Sequence, residues 1–172
     1  MLSMLLTLPA LVDEAPKAPL PVVEAKDLPE APRGPLTPQL RDPGREPGIT
    51  GRIRAAARQG PSLAALQLPE GSVRIKDQVP DISGWKAYAI RVPAGGTVKV
   101  EVVEGRRGWF RVFGVNEWGR DEPGLLQNRI PSGDPKATYK NLGAEARTIY
   151  FVVDTLEENM VGELYELEVI RG

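Results

Sequence analysis

Residues 88–102, YAIRVPAGGTVKVEV, hold two runs of period two on either side of a tight reversal. Tyr88, Ile90 and Val92 alternate with Ala89 and Arg91; Val98, Val100 and Val102 alternate with Lys99 and Glu101. Alternation of this kind sends successive side chains to opposite faces, so each run reads as a half-buried strand. Pro93-Ala94-Gly95-Gly96 between them has the chemistry of a turn, with glycines free to adopt the angles a reversal needs.

The same period extends in both directions. Upstream, Val73 and Ile75 alternate with Arg74 and Lys76 before a Pro80-Asp81 turn. Downstream, Trp109–Val115 is apolar on both faces, as in a central strand or one whose outer face meets something. Residues 116–135 carry Gly119, Pro123, Gly124, Pro131, Gly133 and Pro135 and read as a long loop. Ala137–Leu142 reads as a short strand, and Thr148–Asp154 as a strong one with Ile149, Phe151 and Val153 on one face. Tyr165, Leu167 and Val169 alternate with Glu166 and Glu168 at the end. About seven short strands with no helix between them predict an all-β fold, an antiparallel, jelly-roll-like β-sandwich over residues 71–172.

The N-terminal half is of a different kind. Twelve of the seventeen prolines fall in residues 1–69, where the missing donors and fixed φ rule out a sheet core. Residues 13–48 read as an extended, polyproline-II-prone arm, a semi-rigid spacer. Within it Leu20 to Val23 is the stretch able to add as a short strand to a sheet edge. Residues 49–70 read as a short helical connector. Thr50 is placed to cap a helix over 52–59, with Ile53, Ala56 and Ala57 as its apolar stripe, and Ser62 to cap a second turn over 63–68. Residues 1–12, MLSMLLTLPALV, have the length of a signal-peptide apolar region and are too short to cross a bilayer. No Lys or Arg precedes the run, and neither Ala10 nor Ala15 sits in a clean small-x-small site. The expectation is an exported chain, secreted or held in the periplasm or cell envelope, with no transmembrane segment; the alternative is an apolar segment that docks on its own domain or a neighbour.

Composition narrows the chemistry. The chain has neither cysteine nor histidine, which excludes disulfides, Cys-ligated metal centres and every Ser-His or Cys-His nucleophile. Twenty-two basic residues against twenty-three acidic ones leave a formal charge of −1, and the one basic cluster, Arg52, Arg54 and Arg58, is too small for a duplex footprint, so no nucleic-acid partner is expected. Asp121-Glu122 and Glu157-Glu158 are adjacent acids in polar loops, which are ordinarily solvated and not a catalytic pair. Gly95-Gly96 lacks the following helix and Lys-Ser/Thr of a phosphate loop. The chain reads as no enzyme, with no cofactor and no metal.

The order Tyr88–Val92, Pro93-Ala-Gly-Gly-Thr-Val-Lys-Val100, a strand ending in an Asn/Gly turn, Thr148–Val153 and a closing Gly162-Glu-Leu-Tyr-Glu-Leu-Glu-Val169 resembles the bacterial pre-peptidase C-terminal domain. The resemblance covers about residues 84–171 and departs from the family in the long 118–136 insertion and in having no peptidase domain before it. It implies a secreted, non-catalytic accessory domain that in some relatives binds a polymer. Some relatives hold calcium near the domain start; here Glu70, Asp77 and Asp81 form no calcium loop.

The candidate contact residues are aromatic. Trp109, Arg111 and Phe113 share one strand face, Trp118 lies in the next loop between Glu117 and Gly119, and Tyr139 lies in the following strand. Such rings give flat apolar area at low entropy cost, suited to a protein or polysaccharide partner. The expected function is an exported binding module. The alternative is a structural subunit of a surface assembly, homo- or hetero-oligomeric, joined through residues 13–48.

Overall fold

The computed structural model describes residues 18–35, 63–79, 85–106, 109–120, 122–127, 135–155 and 160–172. They hold ten strands: β1 (Val22–Glu24), β2 (Ala65–Gln67), β3 (Val73–Gln78), β4 (Lys86–Val92), β5 (Thr97–Glu104), β6 (Phe110–Val115), β7 (Leu125–Gln127), β8 (Lys136–Lys140), β9 (Arg147–Thr155) and β10 (Leu164–Arg171). One sheet has the order β1-β3-β10-β5-β8-β7 and the other β2-β4-β9-β6. The protein is an all-β sandwich.

Alternation decides which side chains meet in the core. Val73 and Ile75, Val98, Val100 and Val102, and Leu167 and Val169 point inward from the first sheet. Tyr88, Ile90, Val92, Ile149, Phe151, Val153 and Val112 meet them from the second. Each burial removes apolar area worth about 25 cal/mol per Å², and together these side chains form one continuous cluster. Close approach is needed where β6 faces β7: a Cβ on Gly114 would lie 2.3 Å from Leu125 Cδ2. The reversal at Pro93–Gly96 forms as its sequence requires, with Gly95 at φ +71° and Gly96 N donating to Pro93 O at 3.0 Å, but it carries the chain from β4 in one sheet to β5 in the other and is not a hairpin.

All seven expected strands are present, and three more are added. The long loop expected over 116–135 contains β7, which pairs with β8. Leu63–Leu68, expected as a helical turn, is extended instead: β2 runs parallel to β4, with Ala65 opposite Ala87 and Gln67 opposite Ala89. Pairing with a formed strand here outweighs the helix propensity of its alanines and leucines. The helix expected over 52–59 lies outside the described residues, as do residues 1–12. The sandwich is also not purely antiparallel, because β1 and β2 both join parallel to their neighbours.

Residues 18–35 belong to the sandwich and do not act as a spacer. β1 lies on β3, Val22 opposite Arg74 and Glu24 opposite Lys76, while Pro21 O accepts from Arg74 N at 2.8 Å. A 3-10 turn over Ala25–Asp27 then carries the chain across to the second sheet. There Pro29 O accepts from Gln67 N, Ala31 N donates to Ala65 O and Pro35 O accepts from Leu63 N, at 2.8–2.9 Å. Ala25, Val23 and Leu28 enter the main core, and Ala31 packs on a second cluster. One strap therefore covers one edge of each sheet. Its prolines serve as carbonyl acceptors facing the sheets, and they have no N–H to offer a further strand.

Candidate functional site

The outer face of the four-stranded sheet carries its own apolar layer. Ala87, Ala89, Val115, Tyr150 and Val152 are buried there with Trp85, Leu63 and Ala65. Phe113 meets Trp85 edge-on, with centroids 5.9 Å apart and planes at 89°. The double apolarity of Trp109–Val115 has this cause: β6 is the terminal strand of its sheet, and its outer face meets Trp85.

The strap and the turn after β6 both stand over this face. Between them an open groove of about 590 Å³ is lined by Glu30, Arg33, Leu63, Ala65, Glu117 and Trp118. Trp118 is 59% exposed, although the turn that holds it is tightly built. Asn116 Oδ1 accepts from Trp118 N at 2.9 Å and from Arg120 N at 3.1 Å, and Gly119, at φ +67°, donates to Asn116 O at 3.0 Å. Asn116 Nδ2 donates to Glu122 at 3.1 Å, and Glu122 is paired in turn with Arg147. The indole is thus presented to solvent by a fixed loop.

The other proposed contact residues divide. Arg111 and Phe113 do share the outer face of β6, but Arg111 pairs with the fully buried Asp154 opposite it and lies 5.9 Å from the Phe113 ring centroid. Both act mainly within the protein. Trp109 precedes β6 at the far end of the strand, about 20 Å from the Trp118 turn at ~3.3 Å per residue. It is 42% exposed, with Arg106 5.6 Å from its ring centroid. Tyr139 is withdrawn as a contact residue: it is 1% exposed, because β8 points Ala137 and Tyr139 into the core.

A second groove of about 520 Å³ adjoins the first across Ala31–Arg33. Arg33, Arg91, Arg171, Glu70, Thr148 and Tyr150 line it. Burial and the nearby Glu117 push the Tyr150 phenol up, against the opposing pull of Arg33. None of the arginines in this groove was singled out by the sequence: Arg33 sits in a proline-rich stretch, Arg91 reads as a solvent-side strand position, and Arg171 lies just beyond the last alternating run.

Charge also collects inside the sandwich. Asp77 on β3 accepts from Gln78 N at 2.8 Å, from Lys86 Nζ at 3.0 Å and from the Tyr88 hydroxyl. Tyr165 Oη lies 2.7 Å from Tyr88 Oη. Burial, with Asp77 beside them, holds both phenols well above their ordinary value. The cluster ties β3 and β10 of one sheet to β4 of the other. Among the described residues no group of His, Cys, Asp and Glu is arranged to hold a metal, and no helix is long and apolar enough to cross a membrane.

No family model matches the chain, and no curated protein matches it. The β-sandwich part of the pre-peptidase resemblance stands without the family assignment. Among solved structures the chain is similar to PliG of Aeromonas hydrophila, a periplasmic lysozyme inhibitor of g-type lysozyme. The similarity has a TM-score of 0.39 and 15% identity, over 63% of this chain and 96% of that one, and a likeness this slight says nothing about what this chain binds.

Proposed function

We propose that this protein is a non-catalytic, exported binding module that holds a protein partner on the outer face of its four-stranded sheet, with Trp118 as the anchor. The observation that carries the reading is the Trp118 turn: a large aromatic side chain 59% exposed on a loop whose backbone is already fixed by Asn116. Leaving such area in water is unfavourable, and fixing it in advance lowers the ordering cost of association. Export rests on the apolar N-terminal run, and an accessory role is what the pre-peptidase resemblance implies. A role in assembly through residues 13–48 is less favoured, because residues 22–24 and 29–35 already pair within their own chain.

The test is affinity capture from an envelope fraction with the native protein and Trp118→Ala in parallel, each checked for melting temperature. A partner bound by the native chain and lost from an equally stable variant supports the reading. Equal capture by both removes Trp118 from it.

A further inference from the structure

We infer that the groove lined by Arg33, Arg91 and Arg171 receives the carboxylates of an acidic stretch of the protein partner that Trp118 anchors. This rests on the binding-module reading above and gives the partner a chemistry.

Arg171 carries the argument. Its Nε donates to Gly71 O at 3.0 Å, Nη1 to Arg91 O at 2.8 Å and Nη2 to Pro69 O at 2.7 Å. Carbonyl oxygens orient a guanidinium without cancelling its charge. Three of its five donors are thus used to hold it still, leaving about two N–H groups, one on each terminal nitrogen, for another acceptor. A guanidinium held in this way has already lost the rotamer freedom that usually weighs against binding.

The surroundings add to it. Arg33 and Arg91 are exposed, and neither forms an ion pair among the described residues. Glu70 is the one carboxylate lining this groove against three arginines, a local charge of 3 − 1 = +2, while Glu30 and Glu117 line the adjoining groove and confine the positive charge to the arginine end. Thr148 and Tyr150 line the same wall.

The occupant is a peptide because of what else lines the surface. Pro32, Pro69 and, in the adjoining groove, Trp118 offer apolar area beside the arginines. A ligand with carboxylates and apolar side chains on one backbone uses both parts of it, whereas an acidic polysaccharide brings charge without aliphatic side chains.

The experiment titrates full-length protein with a peptide of alternating glutamate and leucine at low salt, following backbone amide shifts of Gln67, Ala89, Thr148 and Arg171. Polygalacturonate serves as the polysaccharide arm. Saturable peptide binding is expected, weakened about tenfold in the Arg33→Gln/Arg91→Gln double variant and by added salt, two partly exposed ion pairs supplying that much. Both positions are exposed, so the fold is retained. No saturable peptide binding, binding indifferent to the double variant, or binding of polygalacturonate alone would each overturn the inference. Loss of partner capture by Trp118→Ala with the double variant unaffected would leave the binding-module reading standing and this one refuted.

Discussion

The hydroxyls of Tyr88 and Tyr165, one from each sheet, lie 2.7 Å apart at one end of the main core. Tyr88 donates its proton to Asp77, so Tyr165 is the donor between the two phenols. Lys86 closes the cluster on the carboxylate from the opposite sheet. The cluster therefore stabilises only the register in which β3, β4 and β10 bring all four residues together.

Replacing Asp77 with alanine leaves the buried Tyr88 hydroxyl and the Lys86 ammonium without their acceptor, and is expected to cost about 3 kcal/mol of stability. Urea unfolding measures it. A loss below about 1 kcal/mol, the size of an exposed pair, would show that the cluster contributes little.

Alkaline pH acts on the same residues. Their folded-state values lie well above 10.0, whereas unfolded tyrosines release protons near pH 10. The folded form then holds more protons than the unfolded form, so stability is fully present below pH 10 and falls as pH rises beyond it. The expected slope is about 1.4 kcal/mol per pH unit for each tyrosine that stays protonated. Denaturation at pH 9, 10 and 11 reads this out, and the Tyr88→Phe/Tyr165→Phe variant is expected to show a shallower decline; an identical slope in that variant refutes the assignment.

Asn141 is 1% exposed and organises the opposite end of the sandwich. Its Nδ2 donates to Val92 O and Pro93 O, both at 3.1 Å, and to Glu145 O at 2.8 Å, while Oδ1 accepts from Gly143 N at 2.9 Å. Asn141→Ala is expected to lose about 3 kcal/mol, and Asn141→Asp at least as much, since it sets an anionic oxygen against carbonyls. Thermal melts of the pair decide it: an aspartate variant as stable as the native chain would mean that the amide donors contribute nothing.

Removing residues 1–35 uncovers the outer edges of β3 and β2 and strips Ala25 and Leu28 from the core. The truncated chain is expected to self-associate and to melt lower, measured by light scattering after gel filtration. An assembly mediated by the arm predicts the reverse, a folded monomer once the arm is gone.

The legible part of the fold was the part where burial alternates. Val98, Val100 and Val102 report an inward face directly, and so do Ile149, Phe151 and Val153. β1, β2 and β7 are three residues each, too short to show a period, and their partners are remote: Val22 meets Arg74 and Ala65 meets Ala87. Leu63–Leu68 misleads because its composition favours a helix until β4 offers it an edge. Trp118 could be placed at the surface because turn and charged residues flank it. The burial of Tyr139 was readable from its alternation with Lys136, Thr138 and Lys140, a signal its aromaticity obscured. Arg171 could not be found, since its carbonyl cradle is drawn from Pro69, Gly71 and Arg91, which only the folded chain brings together.

The strap has a consequence for the order of events. Its anchors, Arg74 N and Gln67 N, occupy usable positions only after β3 has joined β10 and β2 has joined β4. It is therefore expected to dock last and detach first, an opening that removes only β1 and leaves the other strands of both sheets paired. Amide exchange should be fastest at Ala31 and Leu63 and slowest along β9, so that the protein has two separate stabilities, one for the strap and one for the sandwich it covers.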